Sequence, residues 1–308
     1  MNNRFAIIDM GTNTFHLLIV SIEGDSFRII RKERNSVRLG LGGIDKQIIT
    51  DDAKERAIRA LFFFHELGRE YQVSEYRTYA TSAVRNAKNN QEFVDEVLKK
   101  TKLSIEIIDG EREAELIYKG VKLHDLLNSD PSLIIDIGGG SVEFIIANDS
   151  EQLWMQSFEI GGQRLKNLFH TEEPMPKGET IKLFSYLEEQ LAPLQTAINT
   201  YKPKTMIGCS GTFDTLLEIE QHRKSITDTA VSASFFRLIF MELLRKDRSD
   251  RLSIEGMIMM RVDLIVVASC IVDYVFKLGK FEECIVSKNA LKEGVVLEIM
   301  ESIELKKE

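Results

Sequence analysis

Residues 132–148 read SLIIDIGGGSVEFIIAN. Two apolar, strand-like runs flank three consecutive glycines, and an acid stands on either side of the turn, Asp136 and Glu143. Glycine costs conformational entropy inside a strand, so three in a row mark a tight turn or a place where the backbone comes close to something. The same plan opens the chain: residues 4–22 read RFAIIDMGTNTFHLLIVSI. Asp9, Gly11, Thr14 and His16 stand at the spacing of Asp136, Gly138, Ser141 and Glu143, each pair 127 positions apart. One copy alone would read better as a structural bulge with solvated acids. Two copies at matched spacing read as a duplicated strand–turn–strand unit, one per domain, with the two turns facing each other across a cleft.

The chemistry of the turns points to phosphate. Glycines let backbone N–H groups approach phosphate oxygens, and Asn13, Thr14 and Ser141 add short donors. Asp9 and Asp136 would repel phosphate by themselves. A hard divalent cation reconciles the two, because magnesium takes a few carboxylates together with waters and phosphate oxygens.

The rest of the chain alternates strand and helix signals, which indicates an α/β fold. Three strands are expected within residues 4–34, then a helix over 51–72, a strand at 76–80, a turn at 81–89 and a helix near 91–100. A strand at 103–109 and a helix over 111–127 follow. LLNSDPS (126–132) is the best boundary, giving domains 1–126 and 127–308, with a final helix from about Asn289 that is able to return to the first domain. In the second half one helix is expected over 177–198, a strand at 204–208, and mostly helix thereafter, apart from a strand near 283–287.

Composition sets outer limits. The 308 residues suffice for two domains, and the formal charge is −8. That balance argues against a nucleic-acid or membrane-surface binder, so a polyanion must be met by a local basic cluster or a metal. Cys209, Cys270 and Cys284 are far apart and form no CxxC pair, which indicates reduced thiols and a cytoplasmic protein. The N-terminus enters a strand without the pattern of a signal peptide. The apolar segment 262–276 is too short to span a bilayer and carries Asp263 and Asp273, so it reads as a buried helix.

Several residues carry two readings on sequence alone. Arg85, at an expected helix start after Thr81 and Ser82, serves as a phosphate clamp or as an ordinary surface arginine. Gly208, Ser210, Gly211 and Thr212 form a strand–turn–helix that offers donors to phosphate or simply caps a helix. Asp109, Glu111, Glu113 and Glu115 make an acidic first turn of the kind that favours the helix dipole. Arg31, Lys32, Arg34 and Arg38 extend a polyanion path or form a charged strand face; Arg164 and Lys166 are similar. Arg261, in an apolar setting, reads as a buried ion-pair partner of Asp263 or Glu255.

At residues 7–19, 36–43, 81–89 (TSAVRNAKN), 107–121 (IIDGEREAELIYKGV), 134–146, 207–216 and 291–296 the chain resembles the Ppx/GppA family of exopolyphosphatases and guanosine pentaphosphate phosphohydrolases. Val142 and Thr12 replace the family's usual Thr and Ser. Longer members add a C-terminal helical HD-type domain; this sequence resembles the short two-domain form. The resemblance implies two ribonuclease-H-like, actin-like ATPase domains and a Mg²⁺-dependent hydrolase. It assigns Glu113 as the base that activates water, Glu143 as an assisting acid, and Asp9 and Asp136 as metal ligands. Phosphate-binding positions are Asn13, Thr14, Arg85, Gly138, Gly139, Gly140, Ser141, Gly211 and Thr212. The expected substrate is inorganic polyphosphate, with guanosine penta- or tetraphosphate as the alternative, and the expected assembly is a homodimer. Two other classes stay open: a phosphotransferase of the same superfold, and a non-catalytic nucleotide sensor.

Overall fold

The alternating apolar residues of the N-terminal segment fold as an antiparallel meander because a two-residue connection, Gly24–Asp25, returns the chain at Glu23 to Ser26. Gly24 supplies the positive φ, +62°, that such a connection needs. The computed structural model describes residues 3–305. It contains β1 (Arg4–Met10), β2 (Phe15–Glu23), β3 (Ser26–Asn35), α1 (Asp51–Glu70), β4 (Glu75–Ala80), α2 (Ser82–Arg85), α3 (Asn90–Thr101), β5 (Glu106–Ile107) and α4 (Gly110–Lys122). The sheet order is β3-β2-β1-β4-β5, with β4 parallel to β1 and β5 parallel to β4. A parallel neighbour requires a crossover, and α1 provides it. Thr50 caps α1 by accepting from the Ala53 N–H, and Ala53, Ala57, Leu61 and Phe64 bury one stripe against the sheet.

The second unit repeats the plan. It holds β6 (Ser132–Ile137), β7 (Val142–Ala147), β8 (Gln152–Phe158), α5 (Gly162–Phe169), α6 (Lys177–Gln190), α7 (Ala192–Tyr201), β9 (Thr205–Cys209), α8 (Ser210–Lys224), β10 (Ala230–Ser232), α9 (Ala233–Arg245), α10 (Arg248–Leu252), α11 (Ile265–Gly279) and β11 (Glu283–Ser287). Its sheet order is β10-β11-β9-β6-β7-β8. Read from β8, this is the first sheet again, with β6 in the place of β1 and the edge strand β10 added. The chain is therefore α/β, with two mixed sheets of one actin-like plan. Each unit has its own apolar core. The first comprises residues up to Leu123 and again from Asn289, and the second runs His124–Lys288. The last helix, α12 (Leu291–Glu304), belongs to the first unit.

Several elements differ from the sequence expectation. The helix expected over 177–198 is two helices, because Pro193 sits in the first turn of α7 and has no N–H to continue α6. α4 ends at Lys122 rather than near 127, and Asp125 then adopts a positive φ of +55°. Residues 81–89 include the one-turn helix α2, and Arg85 closes that turn instead of opening a helix. β5 is only two residues long, and β10 was not signalled. Among the described residues no helix is long and apolar enough to cross a membrane.

Candidate functional site

The two glycine turns are built alike. Asp9 pairs with His16 across β1 and β2, and Asp136 pairs with Glu143 across β6 and β7. A Cβ on Gly11 would stand 2.9 Å from the Thr14 carbonyl oxygen, and one on Gly138 would stand 3.0 Å from that of Ser141. The close approach announced by these glycines is thus, first, that of the turn's own backbone. In the second unit the start of α5 supplies another. Gly161, Gly162 and Gln163 donate their N–H groups to the carbonyls of Gly140, Gly138 and Gly139 at 3.1, 2.9 and 2.8 Å. Arg164 adds its Nε to the Gly140 carbonyl at 2.9 Å and an ion pair to Glu159 at 2.8 Å. In a trans peptide the C=O and the next N–H point in opposite directions. With the carbonyls of 138–140 turned to α5, the N–H groups of Gly139, Gly140 and Ser141 turn away from it, the arrangement that binds anions. Ser141 and Thr14 are buried, 2% and 8% exposed.

Asp136 and Glu143 are cross-strand partners, so their side chains share one face of the sheet. Each carboxylate accepts from a serine. Ser210 Oγ donates to Asp136 Oδ1 at 2.6 Å, and Ser157 Oγ donates to Glu143 Oε1 at 2.7 Å. Glu143 is 1% exposed. Two adjacent carboxylates, one of them buried, favour a cation. The donors here, carboxylate and hydroxyl oxygens, fit a hard one. In the first unit, considered by itself, the Asn13 Oδ1 is buried without a hydrogen-bond partner among the described residues. No group of three or more His, Cys, Asp or Glu gathers among the described residues.

In the first unit the structure separates Glu113 from its acidic neighbours. Asp109 is the N-cap of α4 and accepts from the Arg112 N–H at 2.7 Å. Glu111 is exposed. Glu115 pairs with Arg112 at 2.7 Å and Lys119 at 3.2 Å. Glu113 alone is buried, and its Oε2 accepts from Arg85 at 3.0 Å; the same Arg85 Nη1 donates to the Ile108 carbonyl at 3.1 Å. Arg85 was expected to sit beside free N–H groups at a helix start. It instead lies at the end of α2 and reaches the β5–α4 connection. Thr81, the N-cap residue of α2, makes no side-chain cap bond.

At the β9–α8 junction Gly211 and Thr212 are buried, and a Cβ at Gly211 would collide with the Arg261 guanidinium. Arg261, Thr212, Gly138 and Gly162 line one cavity of about 10 Å³, room for a single water. Arg261 thus lies beside the glycine turn, and Asp263, one of the two acids expected near it, accepts from Arg248 Nε at 2.6 Å. Of the basic run on β3, Arg31 pairs with Glu33 and Lys32 reaches Glu293 at 3.2 Å. Sequence reasoning did not identify Ser157 at all. It lies in a plain strand, and only the β7–β8 register brings it opposite Glu143.

The sequence matches the Ppx/GppA phosphatase family over residues 18–303. A crystal structure of an exopolyphosphatase from Cytophaga hutchinsonii is 44% identical, covers 97% of this chain and 98% of its own, and superposes with a TM-score of 0.92. A guanosine-5'-triphosphate,3'-diphosphate pyrophosphatase of Photobacterium profundum is 27% identical over 96% of this chain, which spans 59% of that protein's length. The Aquifex aeolicus member of the Ppx/GppA family shares the fold, with a TM-score of 0.79 at 23% identity, covering 99% of both chains.

Proposed function

The chain belongs to the Ppx/GppA phosphatase family, a family of phosphoanhydride hydrolases, and from this premise we propose that it releases the terminal phosphate of inorganic polyphosphate by attack of water. The observation that carries the reading is the Arg85–Glu113 pair, which sets one carboxylate out of the four acids at residues 109–115 in a buried, oriented position. Polyphosphate is placed first because the 44% identical exopolyphosphatase matches nearly end to end. pppGpp presents the same reacting group, and the similarity to the Photobacterium pyrophosphatase favours it as the second substrate to offer.

Glu113 orients the attacking water and takes its proton, with Arg85 holding the carboxylate in one rotamer. The N–H groups of Gly139, Gly140 and Ser141 hold phosphate oxygens, with Gly138 setting the turn. Asn13, Thr14, Gly211, Thr212 and Arg85 add donors. A Mg²⁺ ion, when bound, neutralises phosphate charge. Asp136 is assigned to hold it, with Glu143 beside it, and Asp9 has the same role in its own turn. The three cysteines are buried and form no disulfide, which supports a cytoplasmic location. Phe62 and Phe63 of α1 are 52% and 47% exposed and are the first positions to substitute in a sedimentation test for a homodimer.

The test is phosphate release with Mg²⁺ from long polyphosphate, tripolyphosphate, pppGpp and ATP. Glu113→Gln is expected to lower kcat by about 10²–10⁴-fold while the protein stays folded. A folded variant with full activity would remove Glu113 from the mechanism. Tight ppGpp binding without release from any substrate would instead favour a sensor.

A further inference from the structure

β9 ends at Cys209, whose register partner is Asp136, and the chain turns at once into α8. The first residue of that helix, Ser210, has φ +66°, the left-handed region in which a residue other than glycine is uncommon. Both neighbouring glycines are glycines for a packing reason. A Cβ at Gly208 would enter the Phe213 ring, and one at Gly211 would enter the Arg261 guanidinium. At the one position of the junction where the backbone itself asks for glycine, the chain carries a side chain. Its hydroxyl donates to Asp136 Oδ1 at 2.6 Å, with the Ile137 carbonyl farther off at 3.5 Å. Strained residues persist where the surroundings over-determine them, and they gather at functional sites.

We propose that Ser210 is a positioning residue for Asp136. Its O–H donates to one carboxylate oxygen and fixes the Asp136 rotamer at the end of β6, so that the carboxylate meets a bound divalent cation in a single orientation. This rests on the assignment of Asp136 to the cation made above. The bond is short and charge-assisted, the kind strong enough to hold an aspartate rotamer. It comes from a helix start that is itself anchored: Thr215 Oγ1 donates to the Gly211 carbonyl at 2.6 Å, and Arg261 lies on Gly211. Hydrogen bonds that orient a ligating carboxylate tune metal affinity, and their loss costs about 10–100-fold in affinity or activity.

The backbone strain makes the test decisive, because two roles for Ser210 predict opposite patterns. Ser210→Gly removes the hydroxyl and relieves the left-handed φ. Ser210→Asn tolerates that φ and returns a donor. Three quantities are measured on the whole protein: the melting temperature, Mn²⁺ binding followed by the EPR signal of free Mn²⁺ with the metal alone, and the Mg²⁺ concentration that half-saturates phosphate release. The expected result is that Ser210→Gly melts at or above the parent. Its Mn²⁺ dissociation constant and half-saturating Mg²⁺ should both rise about tenfold, and Ser210→Asn should recover part of the loss. Parent-like metal binding in Ser210→Gly overturns the proposal. So does a variant that melts well below the parent with its metal dependence unchanged, since the hydroxyl then only stabilises the junction. Asp136→Asn separates the two levels of failure. If Asp136→Asn loses Mn²⁺ affinity and Ser210→Gly does not, only the role of Ser210 is wrong. If neither loses it, the assignment of Asp136 to the cation is wrong as well.

Discussion

Glu113 and Arg85 form an ion pair with side chains only 11% and 16% exposed. Removing one member of such a pair takes a charged partner from the other, which costs about 3 kcal/mol, whereas replacing both with apolar residues restores much of the stability. Arg85→Leu is therefore expected to destabilise the protein by about 3 kcal/mol in urea unfolding. The double variant Arg85→Leu, Glu113→Leu should recover most of that loss and still release no phosphate. Recovery of activity together with stability would show that the pair serves packing rather than chemistry. The acidic first turn of α4 was plain in the sequence, but the four acids were equivalent there except by family resemblance. Burial and the reach of Arg85 from 28 positions away single one out, and neither leaves a local pattern.

α4 carries Glu113 in its first turn, and α12 lies along it. The two helices approach so closely that glycines face each other's backbones. A Cβ at Gly120 would fall inside the Ala290 carbonyl oxygen, and one at Gly294 inside that of Leu116. Along the same contact Arg112 reaches Glu298 at 2.5 Å, and Lys119 reaches it at 2.7 Å. Burial pushes the Glu298 carboxyl up, but the hydrogen bonds from Arg112 and Lys119 outweigh it and hold it below the usual carboxylate range. Gly→Ala inside a helix ordinarily gains up to about 1 kcal/mol from propensity. At Gly294 the obstacle is a backbone carbonyl that cannot rotate aside, so overpacking of about 1–3 kcal/mol wins. Gly294→Ala is expected to lower the urea midpoint and, by shifting α4, kcat. Gly178→Ala, where a Cβ meets nothing within 4 Å, should be neutral or stabilising. The reverse ranking would contradict the crossing geometry. "LKEGVV" was recognised by resemblance, but nothing in its own spacing says that its glycine faces residue 116.

For the molecule as a whole, buried titratable groups set the pH range of stability. His170 is 3% exposed and lies 3.4 Å from Glu173, which also accepts two bonds from the fully buried Arg251. Burial pushes the His170 pKa down, and the pull of Glu173 does not offset it. Its folded pKa thus lies below the unfolded value of about 6.5, so its contribution to stability is present above that pH and is lost as pH falls. Glu173 is raised by burial, but the Arg251 bonds outweigh this and leave it below the usual range, as is also true of Glu298. The carboxylate contributions are complete above about pH 4.3 and are lost as pH falls through the folded pKa values. Urea midpoints should therefore decline from about pH 6.5 downwards and fall more steeply below about pH 4.5. His170→Gln should flatten the upper part alone. An unchanged slope between pH 7 and 5.5 would place the titrating group elsewhere.

The sequence by itself determined the duplicated α/β plan, the two Asp–Gly turns and the family. Those features are carried by spacing within a few residues and by motifs in order along the chain; the structure then shows the matched positions in the same register, Asp9 with His16 and Asp136 with Glu143. Tertiary structure decided the rest: which acid of α4 is buried, that α5 claims the carbonyls of the triple glycine, that serines 157 and 210 hold the two carboxylates, and that the last helix returns to the first unit. Each of these depends on contacts between residues far apart in the chain. Such contacts are selected by packing and hydrogen-bond satisfaction over the whole fold, so they impose no period, spacing or composition on the segment where either partner lies.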